Sequence, residues 1–318
     1  MKYKYLGSSG ILVSELGFGT WGIGGATEAI PSYGPTDDNE SQRALEKAFD
    51  KGINFFDTAT AYGRSEELLG ETFGNSKRGR VVIATKVGIS KFFTPQNFSE
   101  QAMAKSLESS LKRLRTDYVD LLQLFNPPIT NLPTEDILGT LNKFKDEGKI
   151  RAIGASVKSP AEGLIALKYT GIVSLQINLN MIDQRAVDNG LLESAERQNV
   201  GIIARTPLCF GFLTGKITDL NFGLDDHRSR WPVEQLELWQ KASQLLSEIL
   251  PGPNWALNHL ALRFCMDSRA VTSVIAGPLT TKEVFDNILA TELPPLSPET
   301  MNKIRKIYRD NNEFISSK

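Results

Sequence analysis

Apolar residues along this chain form short continuous runs, separated by stretches in which they return every three or four positions. The runs cover residues 16–20, 54–58, 81–86, 119–124, 152–156, 174–178, 201–206 and 271–277. They do not alternate in polarity, as expected for parallel strands covered on both faces. Between them lie helical patterns. Residues 40–51 place Ala44, Leu45, Ala48 and Phe49 on one face and end at Gly52, a C-terminal cap signal. Residues 99–114 align Met103, Leu107, Leu111 and Leu114. Residues 134–147 open on Thr134-Glu135, carry Ile137, Leu138, Leu141 and Phe144, and end at Gly148. The opening segment, residues 2–13, turns at Ser8-Ser9-Gly10 and reads as a β-hairpin. Strand and helix alternating eight times predict an α/β fold, a closed (β/α)8 barrel, with a doubly wound open sheet as the alternative. The hairpin caps it, residues 297–318 add a C-terminal helix with a frayed end, and residues 1–318 form a single barrel domain.

One long polar stretch interrupts this rhythm. Residues 218–232 contain Asp225-Asp226-His227-Arg228-Ser229-Arg230. A loop of this length is either a lid over cofactor or substrate or a solvated, mobile segment.

Composition narrows the partners. Lys and Arg total 36 against 37 for Asp and Glu, a formal net charge of -1. That balance argues against nucleic acid. No apolar run is long enough to span a membrane. The start, Met1-Lys2-Tyr3-Lys4, has no apolar signal region. Cys209 and Cys265 lie far apart, with no metal or disulfide spacing, and read as reduced, buried thiols of a cytoplasmic protein. No metal site is expected, the partner is a small molecule, and the oligomeric state is left open.

Active sites of barrels form at the C-terminal ends of the strands. Asp57 and Lys86 sit at such ends, and Tyr62 lies on the loop after Asp57. Free tyrosine, with a pKa of about 10, is a poor proton donor at neutral pH. A nearby ammonium favours the phenolate, and an aspartate can hold that ammonium charged and oriented. Such a set can donate a proton to a carbonyl oxygen, or remove one from an alcohol. A structural Lys–Asp pair beside an unrelated tyrosine is the competing reading.

The stretch Asn54-Phe55-Phe56-Asp57-Thr58-Ala59-Thr60-Ala61-Tyr62-Gly63, followed by Ser65-Glu66-Glu67-Leu68-Leu69-Gly70, resembles the signature of the aldo-keto reductase superfamily. Further blocks agree in order: Leu16-Gly17-Phe18-Gly19-Thr20-Trp21, Thr85-Lys86-Val87-Gly88, Pro207-Leu208 with Gly211-Phe212-Leu213-Thr214-Gly215-Lys216, and Ile275-Ala276-Gly277 with Asp286-Asn287. The likeness covers almost the whole chain. It implies a capped (β/α)8 barrel that reduces aldehydes and ketones with NADP(H) or NAD(H), or runs the reverse. It also implies catalytic roles for Asp57, Tyr62 and Lys86. Cofactor contacts are implied at Thr20, Trp21, Asp57, Ser156 and Gln176, with Arg205 stacking on the nicotinamide. Pro207, Leu208, Gly211, Lys216, Gly277, Glu283, Asp286 and Asn287 are implied around the phosphates and adenosine. Trp21, Tyr33, Phe92, Phe93, Phe125 and Asn126 are the expected substrate-facing residues, in an aromatic-walled pocket.

Two positions depart from the family pattern. The usual fourth catalytic residue, a histidine after the fourth barrel strand, is Phe125 here, and the chain's two histidines, His227 and His259, lie elsewhere. A phenyl ring donates no hydrogen bond. Either Tyr62 alone polarises the substrate oxygen, or the acceptor is a related, already polarised double bond. Asn126 is a substitute donor only if the strand pleat does not continue through it, since the pleat turns it away from the face of its neighbour. The second departure is at the 2′-phosphate end, where Lys282 is the only cation and Glu283 is acidic. This predicts weak selectivity for NADP, with NAD able to serve. Two other functions stay open on sequence: a low-turnover nicotinamide-binding regulatory protein, and a cofactor-assisted isomerase or lyase.

Overall fold

The computed structural model describes residues 1–74, 77–128 and 135–315. Strands β1 (Tyr3–Tyr5) and β2 (Leu12–Ser14) form the antiparallel hairpin expected from the sequence. Eight further strands follow: β3 (Leu16–Gly19), β4 (Phe55–Asp57), β5 (Val82–Val87), β6 (Val119–Phe125), β7 (Ile150–Ser156), β8 (Ile172–Asn178), β9 (Gly201–Arg205) and β10 (Val271–Ala276). They pair in parallel, and β10 pairs back onto β3 to close a barrel. That closure excludes the open sheet. Helices α1 (Asp38–Asp50), α2 (Ser65–Phe73), α3 (Glu100–Leu114), α4 (Glu135–Asp146), α5 (Pro160–Ala166), α6 (Arg185–Asp188), α7 (Leu191–Arg197), α8 (Val233–Ser247), α9 (Leu257–Met266) and α10 (Thr281–Glu292) carry the chain between and beyond the strands, and α11 (Pro298–Asp310) closes it.

The continuous apolar runs now have a cause. Outward residues such as Phe56, Ile83, Leu122 and Ile153 belong to the core shared with the helices. Inward residues Phe55, Ala84, Leu121, Ala152, Ile203 and Ile275 fill the barrel and pack on Leu6, Ile11 and Val13 of the hairpin. The hairpin therefore plugs the N-terminal end of the barrel. Gly7 allows this: its φ is +52°, and a Cβ there would come within 2.2 Å of the Val173 carbonyl oxygen. Side chains alternate faces along a strand, so the next inward layer carries Asp57, Lys86, Gln123 and Arg205 at the opposite end.

Two expectations are refined. Through Ile315 the C-terminal segment stays packed after the helix. It leaves α11 at Asp310 and turns back, so that Phe314 is fully buried and its carbonyl accepts from Gln235 and Trp239 of α8. An aromatic side chain with a core site to fill outweighs the usual loss of order at a terminus. Thr134, the expected start of α4, and residues 316–318 lie outside the described residues. The 218–232 segment is exposed over most of 218–225 and anchored beyond it. Asp226 caps a short helical turn over His227–Arg230 and bridges to Tyr33, and the His227 amide donates to the Ser32 carbonyl at 2.9 Å.

Candidate active site and cofactor cleft

Asp57 ends β4 and Lys86 lies near the end of β5, both inward and both buried. Lys86 Nζ donates to Asp57 Oδ1 at 2.5 Å and to the Thr58 carbonyl at 2.8 Å. The ammonium also lies 4.7 Å from the centre of the Tyr62 ring and 5.7 Å from that of Phe125. The three residues singled out from the sequence therefore meet at the mouth of the barrel. A buried pair of charges is stable only when its remaining donors and acceptors are satisfied. Gln123 and Gln176 satisfy them here, both donating to Asp57 Oδ2, at 2.9 and 2.7 Å. Sequence reasoning missed Gln123. Its signal was there: it sits on the inward parity of β6 and pairs in register with Lys86.

Phe125 is inward and only 4% exposed. It packs on Ala59 and Ala61 and meets the Tyr62 ring edge-on at 6.0 Å. Phe92 completes this group, stacked on Tyr62 at 6.2 Å. The position expected to hold a histidine is thus an apolar wall beside the tyrosine.

Asn126 is a correction. The pleat does not continue through it, because the strand ends at Phe125 and Asn126 takes φ +47°. Its amide still donates to the Ser156 carbonyl at 2.7 Å, and Gln96 Nε2 donates to its carbonyl at 2.7 Å. These bonds hold a left-handed conformation that asparagine tolerates better than most residues. The Asn126 side chain is turned toward the mouth, where its Oδ1 accepts from Arg205 at 3.3 Å.

Arg205 ends β9. It also donates to Ser156 Oγ at 2.5 Å, to Asn178 Oδ1 at 2.7 Å and to the Val157 carbonyl at 2.9 Å. All of these acceptors are neutral, and burial lowers the pKa of the guanidinium. Ser156 and Gln176, the expected carboxamide contacts, are engaged by Arg205 and Asp57.

A cleft of about 400 Å³ opens from this centre. Asp57, Tyr62, Gln176 and Arg205 line one end, and Lys216, Glu283, Asp286 and Asn287 the other. Trp21, Pro207, Leu208, Gly211, Gly277 and Leu279 lie along it. Thr20 is not on this wall: it is fully buried, and its hydroxyl donates to the Asp57 carbonyl at 3.0 Å. Tyr33 lines this cleft rather than the aromatic cavity beside it. Arg228, part of the 218–232 segment expected either to cover the ligand or to be solvated, also lines it and is paired with Asp226 at 2.5 Å. Thr206, Cys209, Phe210 and Gly211 all take positive φ, an irregular turn of the kind that gathers at ligand-binding loops. At the far end Lys216 pairs with Asp286 at 3.1 Å. Apolar walls with a few polar groups fit a nicotinamide cofactor.

The N-terminus of α10 borders the same end. Several donors here are already engaged: Glu283 Oε2 accepts from the Leu279 amide at 2.7 Å, Glu40 Oε1 accepts from the Thr281 amide at 2.8 Å and hydroxyl at 3.0 Å, and Thr280 Oγ1 accepts from the Glu283 amide at 3.2 Å. Glu40 arrives from α1, so no local motif reveals it.

A closed barrel with a Lys–Asp–Tyr centre at the strand ends and a polar-and-apolar cleft beside it is the arrangement of an NAD(P)-dependent oxidoreductase. The description of the Aldo/keto reductase family matches residues 15–309, and the chain belongs to that family. It is 32% identical to Aldo-keto reductase YhdN of Bacillus subtilis (strain 168), over 87% of this chain and 85% of the relative. It is 28% identical to a probable voltage-gated potassium channel subunit beta of Oryza sativa subsp. japonica, over 100% and 99%. Its fold superposes on the holo form of aldo-keto reductase AKR11C1 from Bacillus halodurans with a TM-score of 0.79, at 28% identity and 96% coverage of each chain. Among the described residues, no helix is long and apolar enough to cross a membrane.

Proposed function

We propose that this protein reduces a carbonyl group, or a related polarised double bond, with Tyr62 as the proton donor. The observation that carries this reading is the buried Lys86 ammonium, held by Asp57 at 2.5 Å and lying 4.7 Å from the centre of the Tyr62 ring. A reduced nicotinamide supplies the hydride when bound. The chain's own residues handle the proton and the charge. Tyr62 gives its hydroxyl proton to the substrate oxygen, and the Lys86 ammonium stabilises the phenolate left behind. Asp57, fixed by Gln123 and Gln176, keeps Lys86 charged. Phe125 offers no second hydrogen bond to the substrate oxygen, so the reading assigns it to substrate choice.

Tyr62→Phe tests the assignment. It should lower kcat about 10²–10⁴-fold while the affinity for reduced nicotinamide, read by fluorescence titration, changes little. Unchanged turnover would remove Tyr62 from the reaction. Retained cofactor with no turnover on a carbonyl panel, in the unmodified protein, would favour a binding role instead.

A further inference from the structure

Beside the cofactor cleft lies a second cavity of about 440 Å³. Trp21, Phe92, Phe93, Phe210 and Trp231 form its apolar walls, and His227 and Arg230 are its polar side chains. Tyr62 does not line it, but shared walls connect it to the reacting centre. Trp21 and Phe210 line both cavities, and Phe92 stacks on the Tyr62 ring at 6.2 Å.

The charges around this cavity are uneven. Arg228 is paired with Asp226, and Lys91 with Glu28. Arg230 has no carboxylate partner among the described residues; its Nη1 donates to the Ala29 carbonyl at 3.0 Å. A guanidinium has five N–H donors in a planar fork, so most of this one is free. Burial lowers the pKa of His227 and keeps the ring neutral. Its Nδ1 faces the Ser32 carbonyl at 3.1 Å. Arg230, an exposed residue, is therefore the charged side chain of a mostly apolar cavity.

We infer that this cavity binds planar, apolar carbonyl substrates that carry an anionic group. The ring lies between the aromatic walls, the carbonyl faces Tyr62, and the anion meets the open fork of Arg230. Carboxylate, sulfonate and phosphate share the required geometry, since each offers two oxygens to a guanidinium. The inference rests on the proposed carbonyl reduction. It adds the substrate class, which the reading of Tyr62 and Lys86 leaves undetermined.

Paired substrates test it. Benzaldehyde is compared with 4-carboxybenzaldehyde, and 2-naphthaldehyde with 6-carboxy-2-naphthaldehyde, in the full chain and in Arg230→Gln and Arg230→Lys. In the unaltered protein the carboxylated member of at least one pair should have a kcat/KM at least tenfold higher, mainly through KM. Arg230→Gln should bring that ratio to about one, and Arg230→Lys should restore part of it. A ratio compares two substrates on one protein, so a general loss of activity cancels. Calorimetric titration with 2-naphthoate and 2-naphthylmethanol reads binding without turnover, and the same dependence on Arg230 is expected there. Equal ratios in every protein, with no preference for naphthoate, would overturn the inference while leaving carbonyl reduction standing. Arg230-dependent naphthoate binding with no turnover of any aldehyde would do the reverse.

Discussion

At the scale of single residues, what matters is how few groups at the mouth are left unsatisfied. Asp57 uses both oxygens, on Lys86, Gln123 and Gln176. Lys86 is fully buried, yet it has a carboxylate, a carbonyl and the face of Tyr62 around it. Isolated in this setting the ammonium would be strongly disfavoured. Surrounded in this way it is a fixed positive charge beside a phenol. On the proposed reading Phe125 breaks the pattern, placing hydrocarbon where the family resemblance leads one to expect a hydrogen-bond donor. One preorganised donor is worth about 10²–10³ in rate. Phe125→His should therefore raise turnover on simple aldehydes, by up to about 10². The same variant should lose ground on substrates that need the apolar wall. Steady-state rates on a small aldehyde panel decide the matter, and an unchanged aldehyde rate would count against this role for Phe125.

At the scale of elements, the N-terminus of α10 is the informative case. A helix N-terminus ordinarily offers free amides and a positive dipole to an anion. Here Glu283 and Glu40 occupy amides of the preceding loop and first turn. A 2′-phosphate arriving at this end would meet two carboxylates and have to displace them. The proposed consequence is that NADH binds at least as well as NADPH. Glu40→Gln combined with Glu283→Gln should shift the ratio of dissociation constants toward NADPH. Fluorescence titration of both reduced cofactors measures it; strong NADPH preference in the unaltered protein would exclude the idea. Helix α1 thus reaches the start of α10 beside a cleft that Glu40 does not itself line.

At the scale of the whole molecule, two buried histidines tie distant segments to the barrel. His227 joins the 218–232 segment to Ser32, inside a box of Trp21, Tyr33 and Phe210. His259 accepts from the Ala256 amide through Nδ1 and faces the Asp286 carbonyl with Nε2, which fixes one neutral tautomer. Burial lowers the pKa of both. The folded state thus binds protons less readily than the unfolded chain. Their contribution to stability is complete above the unfolded value of about 6.5 and is lost as pH falls through the lower folded values. The urea midpoint should drop between pH 7.5 and 5.5, a range in which most carboxylates stay ionised. His227→Phe should flatten part of that drop, and an identical slope in the variant would show that His227 does not contribute.

How much of this was legible beforehand follows from the range of each interaction. The eight apolar runs, the hairpin, and the positions of Asp57, Tyr62 and Lys86 are local patterns repeated along the chain. Burial of a strand on both faces leaves no alternation, and that absence is readable residue by residue. The lack of a histidine at Phe125 was equally plain. Closure of the barrel, by contrast, depends on β3 meeting β10 across most of the chain. Gln123 acquired its role only when β4 and β6 brought it to Asp57. Which way Asn126 faces stays conditional on sequence alone, because one positive φ reverses what strand periodicity implies. Glu40 reaches α10 across 241 positions of sequence, and Arg230 is exceptional only because its neighbours are paired. Covalent order and side-chain type thus determine which elements form and which chemistry is on hand. Which charges are satisfied, and which are left facing a cavity, is decided by contacts between segments remote in sequence.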